Sequence, residues 1–81
     1  PFNPSTTISF TMPKTTNVNL SIYNVKGQLV NTLVNGSKAF GNHSVVWNGK
    51  DVNGNDVPSG IYFYRLSTDD SVETKKMMLM K

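Results

Sequence analysis

The stretch NVNLSIYNVKGQLVNTLV, residues 17–34, decides the fold of this chain. From Val18 to Ile22 apolar and polar residues alternate, which is the period-two pattern of a strand that buries one face. Lys26-Gly27 then predicts a tight hairpin turn into a second strand over residues 28–34. Asn35-Gly36 predicts the end of that strand, because both residue types tolerate positive φ. The stretch therefore predicts an antiparallel hairpin with one apolar face.

The same alternation continues on both sides of the hairpin. It predicts further strands at residues 6–12, 43–47, 61–67 and 71–80, and no segment keeps a helical period. Residues 50–60 form the longest irregular stretch, in which a seventh strand remains an alternative. Short strands separated by frequent turn residues predict an all-β fold, an immunoglobulin-like antiparallel β-sandwich of six or seven strands.

The length of the chain limits its organisation. With 81 residues and 9.0 kDa it has room for one core, so we expect a single β-sandwich domain over residues 1–81. No cysteine is present, and the longest apolar run, Met77 to Met80, is too short to span a membrane. Because the chain opens at Pro1 without an initiator Met or signal peptide, we expect it to be a piece of a longer protein.

The net charge of +3 does not indicate nucleic-acid binding. Phosphate recognition needs cations gathered on one face, whereas Lys14, Lys26, Lys38 and Lys50 are spread along the chain, in or beside predicted turns. We therefore expect no nucleic acid among the partners.

Groups that could carry out catalysis are scarce. His43 is the only histidine, and it alternates with Val45 and Trp47 on a strand face that looks towards the core. Asp69 and Asp70 are adjacent, so on a strand their carboxylates would face opposite sides of the sheet. We expect no enzymatic activity, no catalytic residue and no cofactor.

One loop offers oxygen ligands at closely spaced positions. Asp51, Asn53, Asn55 and Asp56 resemble the opening of a calcium loop, but no Glu follows at the position where such loops place one; Tyr62 stands there instead. Asn and Asp beside Gly are also the usual residues of tight turns. The turn is the favoured interpretation, and these residues form only a weak calcium candidate.

Trp47 has two possible roles. Its register with Val45 favours a core anchor between the sheets, and the alternative is an exposed stacking platform for sugar. Phe63 is expected to point outward, where it would leave an apolar patch or be covered by another domain of the parent chain.

Several motifs occur along the chain in a recognisable order. They are PFNPSTTI at 1–8, IYNVKGQLV at 22–30, GNHSVVWNG at 41–49, DVNG at 51–54, PSGIYFYRL at 58–66 and KMMLMK at 76–81. Together they resemble the C-terminal sorting domain of proteins exported by the type IX (Por) secretion system. They are also similar to the related immunoglobulin-like domain of the flagellar hook-capping protein.

The resemblance to the sorting family implies that the chain is the C-terminal module of a larger secreted protein. In that role it is a non-catalytic sorting and anchoring domain that directs the attached protein across the outer membrane. The resemblance also implies partners in an outer-membrane export machinery, a preceding catalytic domain, and a location outside the cell or on its surface, reached through the periplasm of a Gram-negative bacterium. The alternative is a carbohydrate-binding or spacer module of an extracellular hydrolase. Lys76 and Lys81 match the terminal basic pattern of the family. The candidates for the sorting signal are Lys75, Lys76, Met77, Met78, Leu79, Met80 and Lys81.

Overall fold

Six antiparallel strands in two facing sheets make up the regular structure of residues 5–80, the part of the chain that a computed structural model describes. One sheet has the order β1-β4 and the other the order β3-β2-β5-β6, which confirms the all-β, immunoglobulin-like sandwich. Between these limits no helix is long and apolar enough to cross a membrane. The strands are β1 Thr6–Met12, β2 Thr16–Tyr23, β3 Leu29–Lys38, β4 Gly41–Trp47, β5 Gly60–Thr68 and β6 Val72–Leu79.

The core lies between the two sheets and collects the inward side chains of both. In β2 the alternation buries Val18, Leu20 and Ile22, while β1 and β4 contribute Ile8 and Trp47 from the opposite sheet. Burying each aliphatic side chain of this size stabilises the fold by about 1.5–3 kcal/mol before the entropy of ordering is counted. The remaining buried apolar residues are Met12, Val30, Tyr62 and Leu79.

The β2–β3 hairpin turns where Lys26-Gly27 predicted it. The side-chain oxygen of Asn24 accepts hydrogen bonds from the backbone amides of Lys26 and Gln28, at 2.9 and 3.0 Å. Gly27 has a φ of 80°, a value that L-residues with a Cβ seldom adopt. The turn is thus held by one amide side chain and permitted by one glycine.

The predicted end of β3 at Asn35-Gly36 was wrong. Both residues lie inside the strand, paired with Asn19 and Val18 of β2. Because β2 begins at Thr16, it offers hydrogen-bond partners to the whole second half of β3, and this pairing overrides the local turn preference. The connection to the next strand is correspondingly short, since β3 ends at Lys38 and β4 begins at Gly41.

The loop between β4 and β5 contains no seventh strand. Its only ladder contact among the described residues is an isolated antiparallel bridge between Lys50 and Asp56. A further backbone bond, from the amide of Val52 to the carbonyl of Val30 at 3.0 Å, attaches this loop to β3. The loop is therefore an ordered turn structure and not an additional edge of the sheet.

Candidate functional site

Trp47 lies at the centre of the core, with none of its surface exposed. Its ring meets that of Tyr62 edge-on, with centroids 5.1 Å apart and planes at 70°. The indole N–H donates to the backbone carbonyl of Lys50 at 2.9 Å, and that carbonyl also accepts from the side-chain amide of Asn31. A fully buried indole with a satisfied N–H offers no stacking surface to a sugar.

His43 sits at the rim of the β1–β4 sheet and its ring is used for packing. It stacks on Phe10, its cross-strand partner, with centroids 5.4 Å apart and planes at 24°. Its Nε2 lies 2.8 Å from the carbonyl oxygen of Ala39, and because a carbonyl can only accept, this nitrogen carries the hydrogen. The arrangement fixes the ring in place and makes no nucleophile–base pair with it.

The acidic loop after β4 uses its carboxylates to hold its own turns. The Oδ1 of Asp51 accepts from the backbone amides of Asn53 and Asn55, at 2.9 and 3.0 Å. Asp56 forms an ion pair with Lys50 at 2.7 Å. The structure therefore places the four calcium candidates in one loop, but as an Asx turn and a salt bridge. No group of three or more His, Cys, Asp or Glu side chains in residues 5–80 is placed to hold a metal ion.

The terminal residues proposed as a sorting signal are divided between the two faces of β6. Met77 and Leu79 face the core, and Leu79 is buried. Lys75 lies on the same side, with its Nζ 3.7 Å from Glu73. Lys76, Met78 and Met80 are exposed, and Lys81 lies outside the described residues. The segment is mostly an edge strand of the sheet, and Met77 and Leu79 could take part in a linear signal only if that strand left the core.

An apolar and cationic surface covers one end of the outer face of the four-stranded sheet. Cross-strand pairs place its members side by side: Tyr23 opposite Phe63, Phe63 opposite Lys76, and Ile61 opposite Met78. Directly opposed residues of an antiparallel pair share a face, so these side chains form one continuous patch. The outer-face patch consists of Tyr23, Val25, Ile61, Phe63, Arg65, Lys76 and Met78.

A groove of about 210 Å³ lies in the part of this patch around Tyr23, Phe63 and Arg65. Its floor and walls include the rings of Tyr23 and Phe63, the side chain of Val25 and that of Thr74. The Cζ atom of Arg65 lies 4.7 Å from the centroid of the Tyr23 ring, which is a cation–π contact. This contact holds the guanidinium at the rim of the groove while its N–H groups remain available.

The acidic groups of the described chain lie away from this patch. Asp69 and Asp70 are in the β5–β6 turn, where Asp70 pairs with Lys14 and raises its pKa through a hydrogen bond and through charge attraction. Glu73 points to the core side of β6, opposite Leu66. Asp51 and Asp56 belong to the loop after β4. Within residues 5–80, neither Arg65 nor Lys76 forms a salt bridge.

A second concave region lies between the sheets, where β1 and β6 are both edge strands. This open cleft of about 310 Å³ is lined by Phe10, Tyr64 and Leu66, with Glu73 and Lys75 at its mouth. Inward-pointing charges on an edge strand are a common protection against sheet-to-sheet association. The cleft gathers no pair of groups suited to acid–base or nucleophilic chemistry.

The sequence predicted Phe63 as an outward residue, but it did not predict the neighbours of Phe63 in the patch. Tyr23 and Lys76 are far from Phe63 in the chain and become adjacent only through the β2–β5 and β5–β6 registers. The one available signal was the alternation within Tyr62-Phe63-Tyr64, which places aromatic rings on both faces of β5.

Comparison with known proteins identifies a related domain. The family described as FlgD Ig-like domain matches residues 3–71 of the chain. Among solved structures, FlgD from P. aeruginosa is similar, with 32% sequence identity and a TM-score of 0.73. The match covers 93% of this chain and 58% of that one, so the chain spans little more than half of that FlgD structure. No curated protein matches.

These findings correct the functional predictions. The similarity to the hook-capping immunoglobulin-like domain is confirmed, whereas the type IX sorting role and the surface localisation through the periplasm were wrong. The alternative of a carbohydrate-binding or spacer module of an extracellular hydrolase is also contradicted. The shared motifs are strand and turn residues, which specify the common fold more than either role. The domain limits, the export-machinery partners and the preceding catalytic domain stay predictions.

Proposed function

Because the chain belongs to the FlgD Ig-like domain family, we propose that it is the immunoglobulin-like domain of a flagellar hook-capping protein and acts in hook assembly. The observation that carries the proposal is the match over residues 3–71, together with the likeness to FlgD from P. aeruginosa. The family is structural and non-enzymatic, which is consistent with the expected absence of catalysis.

The geometry supports a role through contact with other proteins. The single histidine is held by Phe10 and Ala39, and the loop carboxylates are held by their own turns. The outer face of the four-stranded sheet presents side chains for interaction on a backbone that is paired on both sides in β2 and β5. A rigid sheet that presents side chains from several strands is suited to docking and not to chemistry on a small substrate.

The proposal is tested in the source bacterium by an in-frame deletion of the segment that encodes residues 1–81 from the parent gene. We expect cells that assemble no hooks by electron microscopy and do not swim, with both properties restored by the intact gene. Complementation with Trp47→Ala, which removes the core anchor, should fail, whereas Lys38→Gln, a change at one end of β3, should restore hooks. Normal hooks in the deletion strain would refute the proposal.

A further inference from the structure

The outer-face patch combines exposed apolar area with unpaired positive charge. Val25 is 67% exposed, Met78 57% and Ile61 38%, although all three are large apolar residues. Contiguous exposed apolar side chains on a small domain mark interaction sites more often than isolated ones do. Here they are contiguous, since the strand registers place Ile61 against Met78 and next to Phe63 and its partner Lys76.

The charge on the patch has one sign. Arg65 and Lys76 flank the aromatic pair, and Lys26 follows Val25 in the adjoining turn. Within residues 5–80, the acidic side chains lie in the loops or on the inner side of β6. The patch is thus complementary to a surface that carries carboxylates beside apolar side chains.

The size of the groove indicates what enters it. Small-molecule sites usually have volumes of roughly 300–1,000 Å³, and the groove at about 210 Å³ is smaller. One large apolar side chain of a partner would fill it, between the rings of Tyr23 and Phe63. The guanidinium of Arg65, whose Cζ atom lies over the Tyr23 ring, carries the N–H groups that can bind a carboxylate through two parallel hydrogen bonds.

We propose that the outer-face patch docks a protein segment in which an acidic residue stands beside a large apolar side chain. The apolar side chain enters the groove, Arg65 binds the carboxylate, and Lys76 adds attraction from the neighbouring strand. Nucleic acid is a poorer fit, because two or three cations around an apolar centre do not follow a phosphate backbone. The inference concerns a surface of the chain itself and does not depend on the role in hook assembly.

The test begins with a random peptide library displayed on phage, selected on the immobilised chain of residues 1–81. We expect enriched peptides in which Asp or Glu lies beside Leu, Phe, Ile or Met. A synthetic peptide of the enriched sequence, labelled with a fluorophore, is then titrated with the chain and its anisotropy measured. Binding should weaken as salt is raised, because the charges are at the surface.

Matched variants locate the site. Arg65→Gln should weaken binding of that peptide about tenfold or more, because a hydrogen-bonded charge pair is lost. Lys38→Gln makes the same change of charge at the far end of β3 and should leave binding unaltered. Val25→Ser in the groove should also weaken binding, whereas Val72→Ser, at a site of similar exposure on the same sheet, should not. Circular dichroism checks that each variant is folded.

Four results would overturn the proposal. The library could enrich nothing above an uncoated surface, or it could enrich peptides that lack acidic residues. The selected peptide could bind Arg65→Gln and Lys38→Gln with equal affinity. Tighter binding of a DNA oligonucleotide than of any selected peptide would assign the face to nucleic acid instead. Hook assembly by the deletion strain would leave these peptide measurements unaffected, so the two proposals fail separately.

Discussion

Replacing Trp47 by Ala should remove a large share of the stability of this domain. A domain with 81 residues is expected to have a free energy of unfolding of about 4–12 kcal/mol. Deleting a buried Trp side chain costs about 3–5 kcal/mol, through lost transfer free energy and through the cavity that remains. Since the indole is fully buried, we expect Trp47→Ala to lower the free energy of unfolding by about 3–5 kcal/mol.

Two contacts contribute to this loss in different ways. The edge-on contact with Tyr62 is worth about 0.5–1.5 kcal/mol beyond the buried area. The hydrogen bond from the indole N–H to the carbonyl of Lys50 contributes about 1 kcal/mol. Loss of this hydrogen bond does not leave the carbonyl of Lys50 without a donor, because the side-chain amide of Asn31 still donates to it. Trp47→Phe, which keeps an aromatic ring next to Tyr62, should therefore cost only about 1–2 kcal/mol.

The assay is urea unfolding followed by far-ultraviolet circular dichroism, because the substitution removes the only tryptophan. Trp47→Phe keeps the measurement possible if Trp47→Ala unfolds the chain outright. A loss below about 1 kcal/mol for Trp47→Ala, with an unchanged dependence on urea, would refute the reasoning, because a core anchor cannot be removed so cheaply.

Three further predictions follow from the turns, the acidic loop and a buried phenol. Gly27→Ala should destabilise the domain by about 1–2 kcal/mol, because the φ of Gly27 is 80°. Gly36→Ala in β3 should instead stabilise it by about 0.5–1 kcal/mol, because an added Cβ there meets no atom within 4 Å beyond the chain neighbours of Gly36. Equal effects of the two substitutions in urea unfolding would contradict this contrast. Millimolar calcium should leave the melting temperature unchanged, because the Asp51 carboxylate already accepts hydrogen bonds from two backbone amides. A rise in melting temperature that Asp51→Ala abolishes would show a calcium site. Burial raises the pKa of Tyr62 above its ordinary 10.0, so the folded state keeps a proton that the unfolded chain releases. The contribution of Tyr62 to the free energy of unfolding should therefore be fully present below pH 10.0 and be lost as the pH rises through the higher pKa of the folded state. Urea midpoints measured over a series of pH values should fall less for Tyr62→Phe than for the unaltered chain.

The class of fold could be read from the sequence because the deciding signal is local. The alternation from Val18 to Ile22 determines which side chains of β2 face the core, whatever strand lies beside them. Ser21 points to the other face and is buried there as well, which the alternation does not predict. The turn at Lys26-Gly27 is equally local, since it depends on one side-chain amide and one backbone angle. The scarcity of groups that could carry out catalysis was also evident from the sequence alone.

Strand pairing, by contrast, was decided between residues far apart in the chain. Asn35-Gly36 has the composition of a turn, yet it is strand because β2 supplies partners along its whole length. The motifs that resemble two immunoglobulin-like families describe strands and turns common to both, so they did not separate a sorting domain from a hook-capping one. The outer-face patch exists only because the β2–β5 and β5–β6 registers bring Tyr23, Phe63 and Lys76 together. Alternation assigns each residue to a face, but long-range hydrogen bonding between strands decides which residues on that face are neighbours.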